Sequence, residues 1–224
     1  IPTAEDTNIT LDTATPPVNL VFTLDVSGSM GSNVNGRLAD AVKAIKALVA
    51  EYEAQGNPVQ VQLNTFDTTA SSPVSGWMDS STLSTELDKL TSLDWTNYED
   101  ALEQIEDNFT PATNGGETFV YFLSDGVPTV ELNDNTTNPD DTTAGDSQDG
   151  IAGATSDTGF IDADRLAAWN AFISDPANNI SDVYSVGINM ADDKYLKLVS
   201  SNSTVVDTSD LTDTLLGTVV TKSG

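Results

Sequence analysis

The 224-residue sequence contains no cysteine and no histidine. It therefore has no disulfide, no thiolate nucleophile, no imidazole for acid–base work and none of the usual zinc or haem ligand sets. A complete lack of cysteine suits an exported bacterial protein better than a eukaryotic secreted one, which is often stapled. Basic residues are scarce: eight Lys and Arg face 35 Asp and Glu, a formal charge of −27. Such a field repels nucleic acid and anionic lipid and attracts cations. No apolar run approaches the ~20 residues of a membrane-spanning helix. The start, Ile1-Pro2-Thr3, carries neither an initiator Met nor a signal peptide, so the chain is expected to be a monomeric module of a longer protein.

What is present is enough for one domain with a buried core and a large insertion. Residues 1–17 are polar, Thr-rich and end in Pro16-Pro17, the composition of a linker or edge extension. Residues 18–24 (VNLVFTL) and 118–123 (TFVYFL) are apolar runs expected to be strands buried on both faces. Residues 180–188 form a third inner strand. Residues 59–66 (VQVQLNTF) alternate, which predicts a strand with one poorly covered face. Residues 74–78 suggest a short edge strand, and 204–206 another short strand.

Helical spacing is clearest over residues 37–54, where Leu38, Ala41, Val42, Ile45, Leu48, Val49 and Tyr52 share one stripe and Gly56-Asn57-Pro58 stops it. Further helices are expected over 82–90, 97–109, 162–174, 192–199 and 210–220. Strand and helix alternate nearly throughout. That order implies an α/β fold: a doubly wound, mainly parallel central sheet flanked by helices, over residues 18–224.

Asp25-Val26-Ser27-Gly28-Ser29 follows the first buried strand directly. Ligands of open α/β sheets bind outside the carboxyl ends of the strands, where strand order reverses. Asp25, Ser27 and Ser29 can converge there from one turn, with Gly28 relieving steric demand. One carboxylate and two hydroxyls form an all-oxygen set suited to Mg2+, Mn2+ or Ca2+. The plainer alternative is a Ser-rich turn in which Asp25 or Ser27 caps the next helix. By the same logic Thr96 is a candidate N-cap and Asp125-Gly126 an ordinary turn.

Leu24-Asp25-Val26-Ser27-Gly28-Ser29-Met30 resembles the metal-ion-dependent adhesion site (MIDAS) of von Willebrand factor type A (vWA) domains. In that family an Asp-x-Ser-x-Ser loop is joined by a Thr from a second loop and an Asp from a third. Trp95-Thr96-Asn97-Tyr98 resembles the second loop, with Thr96 in the ligand position, and Leu123-Ser124-Asp125-Gly126 resembles the third, with Asp125 as its carboxylate. The resemblance runs in order from Val18 onward and implies a vWA/Rossmann-like fold. It also implies one divalent cation on Asp25, Ser27, Ser29, Thr96 and Asp125, with an open position for an acidic group of a ligand. Many relatives have Gly where this chain has Trp95, which makes Trp95 a candidate ligand contact.

From Leu90 to Asp164 there are seventeen acidic residues and no Lys or Arg. Residues 127–160 form a long acidic loop insertion; most of its carboxylates are expected to be solvated, and Asp134, Asp140, Asp141, Asp146 and Asp149 form a candidate second calcium site. A Cys-free acidic type A domain with such an insertion is similar to those in large bacterial repeats-in-toxin (RTX) adhesins. The function expected is a non-catalytic, metal-dependent adhesion module at the bacterial surface, binding a protein or cell-surface ligand. Two other classes compete: an intracellular partner of an AAA+ chelatase-like machine, and a metal-dependent hydrolase. Against the hydrolase stand the missing His and Cys and the lack of any Lys or Arg close in sequence to the metal loops to stabilise developing charge.

Overall fold

The computed structural model describes residues 15–31, 36–129, 161 and 163–221. At its centre is a six-stranded sheet in the order β3-β2-β1-β4-β5-β6. The strands are β1 (Val18–Asp25), β2 (Val59–Phe66), β3 (Ala70–Ser71), β4 (Glu117–Ser124), β5 (Ile180–Ile188) and β6 (Ser203–Val206). Every pairing is parallel except β2 with β3. The three inner strands expected from their apolar runs, β1, β4 and β5, lie next to one another inside the sheet.

Side chains of β1 alternate between two cores, as a pleated strand requires. Leu20, Phe22 and Leu24 pack under α1 (Arg37–Ala54), joined by Ile45, Leu48 and Tyr52. Leu83 and Leu87 of α2 (Ser80–Asp88) and Leu211 and Leu215 of α6 (Leu211–Leu216) complete that core. On the opposite face Val21, Phe66, Val120 and Phe122 meet α3 (Tyr98–Asn108) through Tyr98, Leu102 and Ile105. There Trp169 of α4 (Ala163–Ser174) is fully buried, and its indole N–H donates to Val199 O of α5 (Leu196–Val199) at 2.8 Å. Helices thus cover both faces of a mainly parallel sheet.

Three local expectations change. The polar side of β2 is not poorly covered: Gln62 and Asn64 are both 0% exposed. α3 lies over them, and Asn64 Oδ1 accepts from Ser72 Oγ at 2.7 Å and from Asn108 Nδ2 at 3.2 Å. The edge strand is Ala70–Ser71 rather than 74–78, where Met78 makes only an isolated bridge to Val61. The closing helix is shorter than expected, because a 3-10 turn over Thr208–Asp210 precedes Leu211 and the helix ends at Leu216. Residues 1–14 of the expected extension and 130–160 of the insertion lie outside the described residues.

Candidate metal centre

The chain leaves β1 toward β2 on one side, while β4 pairs on the other, so the carboxyl ends of β1 and β4 flank the switch point of the sheet. Asp25 closes β1 and is 0% exposed. Its Oδ1 accepts the Ser27 backbone N–H at 2.7 Å, and its Oδ2 accepts the Ser124 hydroxyl at 2.6 Å. One residue on, the Asp125 side chain is fully buried. Its Oδ1 accepts the Ser29 hydroxyl at 2.7 Å, and Ser27 Oγ lies 3.4 Å from Ser29 Oγ. The first and third loops are therefore joined by their own side chains.

Backbone bonds draw in the second loop. Leu93 N donates to Val26 O at 2.9 Å and Gly28 N to Asp94 O at 3.0 Å. On the other side the Tyr98 hydroxyl donates to Gly126 O at 2.6 Å and Thr129 N to Thr96 O at 2.8 Å. Thr96 is 6% exposed, and its hydroxyl makes no hydrogen bond among the described residues. Its hydrogen bonds run from its backbone to Thr129, and it is not bonded into the carboxylate cluster.

The capping alternatives do not hold. Asn97, not Thr96, caps α3, accepting Asp100 N on its side chain. Ser27 precedes the 3-10 turn Gly28–Met30 but its side chain caps nothing there. Gly28 is less constrained than its place in the motif suggests: a Cβ there would sit 3.5 Å from Asp94 O, an ordinary contact. Gly31 is the tight position, where a Cβ would come within 2.5 Å of Ser92 Oγ.

Burial pushes the Asp25 carboxyl up to about 6, and the charge of Asp125 pushes the same way; hydrogen bonds from Ser124 and Ser27 oppose them. Burial likewise raises the Tyr98 phenol far above its ordinary value, so it stays protonated and keeps its proton for Gly126 O. Among the described residues no three Asp or Glu are grouped as metal ligands. A cation here would rest on two carboxylates and neutral hydroxyls, hard oxygen donors that fit Mg2+, Mn2+ or Ca2+.

Two groups at this site were not foreseen. Ser124 bridges the loops through Asp25. Arg37, the first residue of α1, donates from Nη1 to Asp125 Oδ2 at 2.8 Å. No Lys or Arg was expected close in sequence to the metal loops to stabilise developing charge; Arg37 reaches the third loop through space. Trp95 is 49% exposed; Leu93, two residues before it, and Val127, two residues after Asp125, are exposed as well. Asp134, Asp140, Asp141, Asp146 and Asp149 lie outside the described residues.

The family model of the von Willebrand factor type A domain matches residues 20–127, a span that holds Asp25, Ser27, Ser29, Thr96 and Asp125. That span is just under half of the chain, and over it the sequence is similar to the von Willebrand factor type A family. Solved structures share the fold. The corresponding domain of the type V pilus tip protein Mfa5 from Porphyromonas gingivalis matches with a TM-score of 0.63 at 15% identity, covering 89% of this chain and 93% of that one. The minor pilin PilB from Streptococcus sanguinis matches with a TM-score of 0.64 at 18% identity, over 89% of this chain and 60% of its own. The pilus adhesin SpaC from Lactobacillus rhamnosus GG gives 0.61 at 17% identity, over 90% and 30%. The chain thus spans less than two thirds of PilB and of SpaC. No curated protein matches the sequence.

Proposed function

We propose that this chain is a surface adhesion module that grips an acidic group of a protein or cell-surface ligand through one divalent cation. Asp25, Ser27, Ser29, Thr96 and Asp125 would hold the ion, directly or through water. The observation that carries this is the joining of two buried carboxylates and two serine hydroxyls at the switch point of the sheet. Two carboxylates and three neutral hydroxyls supply five donors, so a six-coordinate ion would keep one position for a ligand carboxylate. Exposed Leu93, Trp95 and Val127 give the rim an apolar character, which suits a ligand with an apolar group next to its acidic one. The likeness to a pilus tip protein and a pilus adhesin favours a place at the bacterial surface over partnership with an ATPase.

We assign no catalytic step. Arg37 removes one objection to a hydrolase, but the chain still offers no His or Cys for nucleophilic or acid–base work. Calorimetry with Mg2+, Mn2+ and Ca2+ tests the proposal. One site is expected in the wild type and none in Asp25→Ala, with Thr96→Ala weakened but folded. Unchanged binding in Asp25→Ala would move the ion elsewhere, and Mg2+-dependent phosphoester turnover lost in that variant would make the domain an enzyme.

A further inference from the structure

Arg37 occupies an unlikely position for a cation. It opens an 18-residue helix, where the dipole is positive and Asp or Glu is favoured. Local preference therefore does not explain it; its contact with Asp125 does. The guanidinium reaches Asp125 Oδ2 at 2.8 Å while Ser29 holds Oδ1, so each oxygen of that carboxylate already has a donor. Arg37 is not fully bonded into the fold. Its Nε is buried with no partner among the described residues, and its side chain keeps 18% of its surface open.

We infer that Arg37 is a built-in counter-cation, which neutralises Asp125 when no metal is bound and must leave it for a divalent ion to enter. The inference rests on the cation site proposed above. In the empty cleft, two buried carboxylates close together repel each other, and a guanidinium offsets that repulsion at one of them. A divalent ion bound beside Asp125 does the same task with more charge, and the two cations repel. The metal therefore works against the Arg37–Asp125 bond, and its affinity is set below what the oxygen ligands alone would give. The device keeps the metal-free fold intact and makes occupancy depend on the external cation concentration.

The test is calorimetry with Mn2+ on the wild type, Arg37→Met, Arg37→Lys and Asp25→Ala. Arg37→Met keeps an apolar stem, removes the charge and should bind Mn2+ about tenfold tighter or more, the scale of one hydrogen bond between charged groups. Arg37→Lys keeps the charge and should stay within a few-fold of wild type, and Asp25→Ala should abolish binding. On the unmutated protein, the NMR signal of the Arg37 guanidinium should shift on adding Mg2+, and should not shift in Asp25→Ala. Equal or weaker Mn2+ binding in Arg37→Met, beside a wild-type site that needs Asp25, would overturn the inference and make Arg37 a residue that positions Asp125. If neither wild type nor Arg37→Met shows an Asp25-dependent site, the cation proposal itself falls.

Discussion

Replacing Asp25 by Asn separates the cost of the buried charge from the gain on binding metal. Burial raises the carboxyl from 3.8 to about 6 in the folded state. Between those values the folded protein holds a proton that the unfolded chain has released, so unfolding becomes easier as pH rises through the window. Below 3.8 the group costs nothing; above about 6 the cost is complete, about 3 kcal/mol at 1.36 kcal/mol per tenfold change. Asn keeps the shape. Its Oδ1 can still accept the Ser27 N–H, and its Nδ2 can donate to Ser124 Oγ, whose proton can turn to Gly126 O, 3.0 Å away.

In EDTA at pH 7.5, Asp25→Asn should therefore be more stable than wild type by roughly 1–3 kcal/mol, and the gap should close toward pH 4. With a cation at a hundredfold excess over Kd the wild type should gain about 2.7 kcal/mol and the variant nothing, which reverses or levels the order. Urea unfolding followed by tryptophan fluorescence, to which fully buried Trp169 contributes, reads each condition for both proteins. A variant less stable than wild type in EDTA, with a gap that ignores pH, would refute the electrostatic argument and mean that the hydrogen bonds of Asp25 outweigh its desolvation.

Two further predictions rest on charge. Millimolar Mg2+ or Ca2+ should raise the melting temperature clearly more than NaCl of equal ionic strength, since bound metal adds a specific term to the screening that any salt gives a chain of charge −27; equal shifts would reduce the effect to screening. Arg165, 4% exposed on α4, pairs with Glu103 and Glu106 of α3. Arg165→Met should cost about 3–5 kcal/mol in urea unfolding by leaving buried carboxylates without their cation. A loss below about 1 kcal/mol would show those acids to be solvated well enough to stand alone.

How much of this could be read in the chain follows from where each signal resides. β1, β4 and β5 announce themselves because strands covered on both faces must be apolar on both, and α1 because one apolar stripe runs its full length. β3 has no such signal: Ala70 and Ser71 become a strand only by pairing with Thr65 and Phe66. Gln62 and Asn64 misled for a related reason. Alternation reports polarity, and polarity usually faces water, but here α3 and Ser72 bring polar partners inward to Asn64.

The site divides along the same line. Asp25, Ser27, Ser29 and Asp125 were legible because each sits at or just after the end of an apolar strand, so the topology delivers them to one place. Arg37 was not, because nothing within a few residues of it points at Asp125, 88 positions away. One local oddity was nevertheless visible: a positive charge on the first residue of the longest amphipathic helix, where the dipole disfavours it. A residue set against its local preference implies a distant partner that holds it there. In a chain with only two arginines against 35 acids, each closes on a carboxylate that the fold has buried, Arg37 on Asp125 and Arg165 on Glu103, with half-buried Glu106 beside it. Asp25, buried without a cation of its own, is the carboxyl whose burial pushes it up to about 6, which is the gap a bound metal would fill.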